Sequence, residues 1–318
     1  VLTTLFVGAC QQQKPHEQVF TQEGDVEVGP YTVSVIEPGI YHLQDYIASY
    51  PAGEVKDDSG KVVAYNNPSD MYLLVGEEKA LLIDLSNEIK WADNAAESLQ
   101  KIVADRIGGK PLLITCTHNH GDHLGMLPAF SADPAVRFLM PKVDFESLTD
   151  RFPENQLTLY DEGFRFDLGG MKVNTLMVQG HTPGSMVFFV EGKDLCFTGD
   201  AVGSGSGVWL FTLEAFNQYG EGVRKLMEYI TDPANGIDRQ KLVLWGGHYH
   251  QRSGLKQDDG RGMGYDYLAE TSELIGQIKE GTAAKTPVSH NKLLDVHFTY
   301  KNAGIVWNDS LSNIVRLR

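Results

Sequence analysis

The sequence predicts an α/β fold made of two similar β-rich halves, packed sheet against sheet with helices on the outside. Three observations point there. First, two passages share one pattern: YLLVGEEKALLID (Tyr72–Asp84) and VFFVEGKDLCFTGD (Val187–Asp200). Each reads as an apolar strand, a charged turn with Gly, a second apolar strand and a closing Asp. Second, each passage is followed by a run with helical periodicity. In Trp91–Ile107, Ala95, Leu99, Ile102, Val103 and Ile107 share a face; in Leu213–Ile230, Phe216, Val223, Leu226, Met227 and Ile230 do so. Third, each helix leads into an apolar strand that ends at histidines, PLLITCTHNHGDH and KLVLWGGHYH. One supersecondary unit used twice places the apolar sheet faces against each other and the helices outside.

The other elements follow in chain order. Residues 1–24 read as a signal remnant and polar tether, and 25–318 as one domain. Val1–Ala9 is apolar, VGAC resembles the lipobox of bacterial lipoproteins, and a Gln-rich stretch follows. A lipid on Cys10 is therefore expected, and with it an exported location: anchored to a bacterial membrane, or periplasmic or extracellular. Val26–Ile36 and Gly39–Ile47 are β-like, whereas Pro51–Asp70 reads as a long polar loop. Val136–Met140 is a strand, Lys142–Asp150 a short helix, Phe164–Val178 a hairpin turning at Gly169–Gly170, and Gly262–Lys279 a helix. The last forty residues alternate strand-like segments, KLLDVHFTY and AGIVW, that are expected to close a sheet edge.

Composition narrows the partners. The 318 residues carry a net charge of −15 and no Lys/Arg-dense run, so a nucleic-acid partner is not expected. Three cysteines are too few for a disulfide scaffold, and Cys116 and Cys196 read as buried free thiols inside strands.

The chemistry concentrates at strand ends. His118-Asn119-His120-Gly121-Asp122-His123 puts four metal-type donors into six residues, directly after a strand. A loop at a strand end can converge such side chains on one point, with Gly121 expected to allow the tight backbone path. Imidazole and carboxylate suit zinc and other borderline divalent metals. Five of the ten histidines lie in this motif, in GHTPGS (His181) or in GGH (His248), and Asp200 ends the strand LCFTGD.

HNHGDH, GHTPGS, TGDA and GGH, in this order between Val26 and His250, resemble the metallo-β-lactamase superfamily. The resemblance implies a four-layer αββα sandwich and a metal-dependent hydrolase acting on a small-molecule substrate. It implies two divalent ions, zinc first, then manganese or iron. His118, His120 and His181 would hold one ion and Asp122, His123 and His248 the other, with Asp200 bridging. Asp122 and His248 are also the candidate catalytic residues, and Asp84 the carboxylate that orients the histidine loop. Two such ions sharing a water lower its pKa from about 15.7 towards neutrality, so the attacking group is hydroxide and no Ser or Cys nucleophile is required. Ser185 and Cys116 are accordingly expected to be structural. The bond attacked is of ester type: a lactone, thioester, or carboxylic or phosphate ester.

Departures from the family separate the rivals. The bridging position is Asp200, where many true β-lactamases have a cysteine or serine arrangement at the second metal, which argues against an exported β-lactamase. His120 is not the glutamate of the di-iron oxygen reductases. Two further rivals are a mononuclear-iron, persulfide-dioxygenase-like oxidoreductase and a non-catalytic metal-binding lipoprotein. For the pocket, the Gly/Ser segment 203–207 reads either as a flexible link or as the lead-in to Trp209 and Phe211 lining an apolar subsite. His250 reads equally as a donor behind the metal ligands or a surface residue. Tyr65, Asn66 and Asn67 read as turn residues, and His16, His42, His290 and His297 as structural.

Overall fold

Alternation of side chains along the strands decides which face of each sheet goes where. The computed structural model describes residues 24–47, 53–56, 59–255, 263–291 and 293–316; Cys10 and His16 lie outside them. The first half runs β1 (Val26–Val28), β2 (Tyr31–Glu37), β3 (Ile40–Gln44), β4 (Gly53–Lys56), β5 (Val62–Asn66), β6 (Asp70–Val75), β7 (Ala80–Ile83), α1 (Ala95–Ile107), β8 (Leu112–Thr115), α2 (Leu127–Ser131), β9 (Arg137–Pro141), α3 (Lys142–Phe145) and β10 (Leu157–Tyr160). The second half runs β11 (Arg165–Asp167), β12 (Lys172–Met177), β13 (Met186–Val190), β14 (Leu195–Gly199), β15 (Val208–Trp209), α4 (Leu213–Thr231), β16 (Val243–Gly246) and α5 (Tyr265–Glu280). Then come β17 (Ala284–Asn291), β18 (Leu294–Tyr300), β19 (Ala303–Trp307) and α6 (Asp309–Arg316).

Two sheets dominate, ordered β1-β2-β3-β6-β7-β8-β9-β10 and β11-β12-β13-β14-β16. Tyr72, Leu74, Leu81 and Ile83 of the first meet Phe166, Val173, Met186, Phe188 and Phe197 of the second in one buried cluster. The alternate residues Leu73, Leu82 and Ile114 turn the other way, onto Leu99, Ile102 and Val103 of α1. In the second half Val187, Phe189, Cys196 and Leu244 pack on Leu226 and Ile230 of α4 and Tyr267 and Leu268 of α5. The architecture is thus helix, sheet, sheet, helix. Each fully buried Leu or Phe in these layers contributes about 1.5–3 kcal/mol by leaving water.

The repeated unit folds alike in both halves. The β6–β7 and β13–β14 hairpins are antiparallel, and β7–α1–β8 and β14–α4–β16 are parallel crossovers. Thr212 caps α4, its hydroxyl accepting from Ala215 N–H at 3.0 Å, and Gly108 ends α1 in the left-handed conformation. Parallel strands carry their C-termini to one rim, which is where α/β sheets present ligand sites. Asp84, His118, Asp200 and His248 all follow such ends.

Two expectations are corrected. The Pro51–Asp70 segment is not wholly loop: β4 and β5 pair antiparallel, because β-branched and aromatic residues in Val62–Asn66 suit a pleated strand. The C-terminal strands do not close an edge of either main sheet. They form a sheet of their own, β15-β19-β18-β17, because Val296, Phe298, Ile305 and Trp307 pack with Phe216, Tyr219 and Val223 of α4 and Leu274 and Ile278 of α5. Among the described residues no helix is long and apolar enough to cross a membrane.

Candidate metal centre

The seven predicted ligands converge on one rim of the sandwich. Three overlapping groups form, each with ligand atoms within 4.8 Å of one another: His118, His120 and His181; His118, His123 and Asp200; and Asp122, His123 and His248. Asp200 lies between the first and last, with its Oδ2 3.5 Å from His181 Nε2 and 3.3 Å from His248 Nε2, and its Oδ1 3.6 Å from His123 Nε2. Asp122 Oδ2 is 3.4 Å from His248 Nε2.

What aims the rings is a set of hydrogen bonds from their far nitrogens. His181 Nδ1–H donates to the Trp209 carbonyl at 3.0 Å, and His248 Nδ1–H to the Pro68 carbonyl at 2.7 Å. His123 Nδ1–H donates to Asp84 Oδ2 at 3.0 Å. Thr117 Oγ1 donates to the same oxygen at 2.9 Å and so accepts from His118 Nδ1–H, also at 2.9 Å. Each of these rings therefore turns an unprotonated Nε2 inward when a cation is bound. His120 differs, presenting Nδ1 to His181 Nε2 at 2.9 Å.

The inward atoms fit a cation. His118 Nε2, His123 Nε2 and Asp200 Oδ1 are buried with no hydrogen-bond partner among the described residues. Buried polar atoms without partners cost about 1–3 kcal/mol each, more for charged groups, and three converging lone-pair donors are explained together by a divalent ion. A Cβ at Gly247 would collide with Asp200 Oδ1 and the His123 ring, so only glycine fits there. Burial alone would lower both His123 and His248, but the carboxylates outweigh it: Asp84 and Asp200 raise His123 to about 9, and Asp200 raises His248 to about 10. Burial dominates at His118, which is held well below its usual value, and at His181, lowered to about 4. Asp200 stays well below the usual carboxylate range, since His248 and His123 offset its burial.

The surrounding loops are anchored by residues that stand out little in the sequence. Asp144 Oδ2 accepts from Thr182 Oγ1 at 2.6 Å and Oδ1 from Gly184 N–H at 2.7 Å, while its backbone carbonyl accepts from Asn119 Nδ2. It thereby ties the His181 loop to the His118–His123 loop. Asp45, just past β3, accepts from Ser69 N–H, Ser86 Oγ, and Asn87 N–H and Nδ2. Burial pushes it up to about 7 against the pull of those donors. Asp70 accepts from Tyr249 N–H at 2.5 Å and lies 3.1 Å from His42, so it fixes the turn after His248. Neither Asp45 nor Asp144 belongs to a motif; each acts across more than twenty residues of sequence.

The Gly/Ser segment is fastened at two points. Ser204 Oγ accepts from His248 N–H at 2.9 Å, and Val208–Trp209 pairs with β19. Phe211 stands beside the site, its ring 5.9 Å from that of His120 and 6.0 Å from that of His181. Trp209 contributes its carbonyl to His181, and the His250 ring lies 5.8 Å from that of His248. The side chains of Tyr65, Asn66 and His290 lie outside those described. Gly121 does not play the part expected of it: its φ is not left-handed, and a Cβ there would meet nothing within 4 Å. The unusual backbone sits instead at Asp84, with φ of 65°.

A family model described as "Metallo-beta-lactamase superfamily" matches residues 64–232. An atrochrysone carboxyl ACP thioesterase from Aspergillus novofumigatus is 32% identical over 162 residues, covering 48% of this chain and 46% of that protein. A hydroxyacylglutathione hydrolase from Ruegeria pomeroyi is 35% identical over 98 residues, covering 31% and 36%. The matched stretches thus span less than half of either relative. A metallo-β-lactamase structure from Pontibacter korlensis superposes with a TM-score of 0.54 at 17% identity, covering 77% of this chain and 99% of that one, which bears on the fold alone. With the family model spanning more than half of the 318 residues, the chain belongs to the metallo-β-lactamase superfamily.

Proposed function

We propose that this protein is a metal-dependent hydrolase of small molecules with an ester-type bond, thioesters first among them. The observation that carries the reading is the convergence of His118 Nε2, His123 Nε2 and Asp200 Oδ1 on one point, each buried and without a hydrogen-bond partner among the described residues. In this reading His118, His120 and His181 hold one divalent ion, Asp122, His123 and His248 a second, and Asp200 reaches both. Bound there, the ions would polarise the scissile carbonyl and acidify a water.

The protein's own groups support a direct attack by water. Ser185 Oγ accepts from Thr182 N–H at 3.1 Å and lies 2.7 Å from Thr182 Oγ1, so its hydroxyl is engaged within its loop. Cys116 is fully buried, burial pushes its thiol well above the usual value, and its Sγ faces the His123 carbonyl. Neither is placed to form an acyl-enzyme. Asp122, more open to solvent than the ligand histidines around it except His120, offers an acceptor to orient water at the mouth. The apolar Phe211 ring beside His120 and His181 supplies a wall for an acyl chain. The thioesterase and hydroxyacylglutathione hydrolase relatives favour a thioester over a lactone or phosphate ester.

The test is a panel assay of zinc-loaded protein with acyl thioesters, lactones, phosphodiesters and a chromogenic β-lactam. Chelator-sensitive thioester turnover is expected. Turnover that survives complete removal of metal overturns the reading, as does oxygen consumption by an iron-loaded sample with no hydrolysis of any ester.

A further inference from the structure

A short strap, Asn67–Ser69, crosses behind one half of the metal centre. The Pro68 carbonyl accepts from His248 Nδ1–H at 2.7 Å, and Ser69 Oγ donates to the Asp122 carbonyl at 2.5 Å. The strap is held at both ends by one buried system. Ser69 N–H donates to Asp45 Oδ1 at 2.7 Å. The two protons of Asn87 Nδ2 go to Asp45 Oδ2 at 3.0 Å and to the Asn67 carbonyl at 2.5 Å. The same carboxylate accepts from Ser86 Oγ at 2.9 Å and Asn87 N–H at 3.1 Å. That segment reaches the third ligand, since Leu85 N–H donates to the His123 carbonyl at 2.9 Å and Gly125 N–H to the Ser86 carbonyl at 2.8 Å.

Asp45 is only 1% exposed. A buried carboxylate is costly unless its lone pairs are filled, and here the donors that fill them belong to the segments that support Asp122, His123 and His248. The other group is held elsewhere: His118 through Thr117, and His181 through the Trp209 carbonyl.

We infer that Asp45 is a positioning residue for the Asp122–His123–His248 group, setting the affinity for the ion held there without setting that of the His118–His120–His181 group. The inference rests on the two-ion reading above. Rigid ligand placement matters because ligands held by partners outside the coordination sphere lose about 10–100-fold in metal affinity when those partners go. Asparagine at 45 keeps the volume but replaces one acceptor by an N–H₂ that faces the donors of Asn87 or Ser69, so the strap loosens.

The experiment titrates metal-stripped wild type, Asp45→Asn and Ser69→Ala with zinc, and separately with cobalt, following stoichiometry and the cobalt absorption bands. Wild type is expected to take two ions. In Asp45→Asn the first ion should bind within about twofold of wild type and the second about 10–100-fold more weakly, with only the second set of cobalt bands altered. Ser69→Ala, which removes the hydroxyl's link to Asp122 and its longer contact with Asp45 Oδ2 at 3.3 Å but keeps the Ser69 N–H bond to Asp45, should weaken the second ion in the same direction by less, and it decides the matter if Asp45→Asn does not fold. A wild type that takes one ion overturns the two-ion reading and this inference with it. A wild type that takes two, beside variants that bind both as tightly or lose both in proportion, overturns this inference alone.

Discussion

Asp84 Oδ2 lies 3.0 Å from His123 Nδ1 and 2.9 Å from Thr117 Oγ1, and Thr117 in turn accepts from His118 Nδ1–H. Asp84 Oδ1 accepts from Thr117 N–H at 2.6 Å. One carboxylate at the end of β7 therefore fixes two rings that face different parts of the site. Its left-handed backbone, φ of 65°, is uncommon for a residue other than glycine and is held by the Asp84 N–H to Thr115 carbonyl bond.

Replacing Asp84 by Asn should weaken zinc binding at both groups, by about 10–100-fold. The amide nitrogen would face either the His123 Nδ1–H or a Thr117 donor, and two donors cannot bond each other. Zinc titration of the stripped variant checks this; unchanged affinity at the His118 group would break the link through Thr117, and unchanged affinity at the His123 group the role of the direct bond to His123.

Asp200→Ala should lower bound metal to one ion or fewer per chain and remove hydrolysis. Its carboxylate is the group that reaches both ligand sets, and it would lower the mutual repulsion of two cations held there. Elemental analysis beside a turnover assay decides it, and two retained ions with full activity would be the contrary result.

Metal uptake should release protons. In stripped protein at about pH 7.5, His123, raised to about 9, and His248, raised to about 10, carry protons that a bound cation must displace. Calorimetry in buffers of different ionisation enthalpy should report about two protons released from these histidines per fully loaded chain, beside any that a metal-bound water gives up. The stability of stripped protein follows from the same shifts. His123 and His248 have folded values above the unfolded value of about 6.5, so their contribution is complete below 6.5 and is lost as pH rises through 9–10. His181 is lowered, so its contribution holds above about 6.5 and is lost as pH falls through 4. Tm of the stripped protein should therefore peak between these limits and fall on both sides.

Phe211→Ala should leave metal content unchanged and raise KM for long-chain acyl thioesters about tenfold, with little effect on short ones. Losing an apolar wall costs about 1–3 kcal/mol of substrate binding, and the ring stands beside His120 and His181 without bonding either. Equal losses for short and long chains would place Phe211 outside the pocket.

Ser185→Ala should retain most of the activity while costing stability of about 1 kcal/mol from its loop hydrogen bonds. Mass spectrometry during turnover should find no acyl group on Ser185 or Cys116; a trapped adduct on either would contradict attack by water.

The sequence alone determined the candidate ligand set and the doubled architecture. The pattern of apolar strand, charged Gly-containing turn, apolar strand and closing Asp in Tyr72–Asp84 and Val187–Asp200, and the helical repeat of about 3.6 in the runs after them, are written in side-chain polarity. So is a cluster such as His118–His123 at a strand end. These are local properties, carried by residue types at fixed spacing. Tertiary structure alone decided what holds the ligands in place: the Pro68 and Trp209 carbonyls behind His248 and His181, the Ser204 hydroxyl under the His248 amide, and the Asp45 and Asp144 carboxylates that tie loops together. It also decided that the C-terminal strands form a third sheet with β15 rather than an edge of the first two. A backbone carbonyl is the same group at every residue, and a lone aspartate in a loop looks alike in water or in a core. Only the packing of β3, β6, β7 and β16 at one rim gives those common groups a particular ligand to hold.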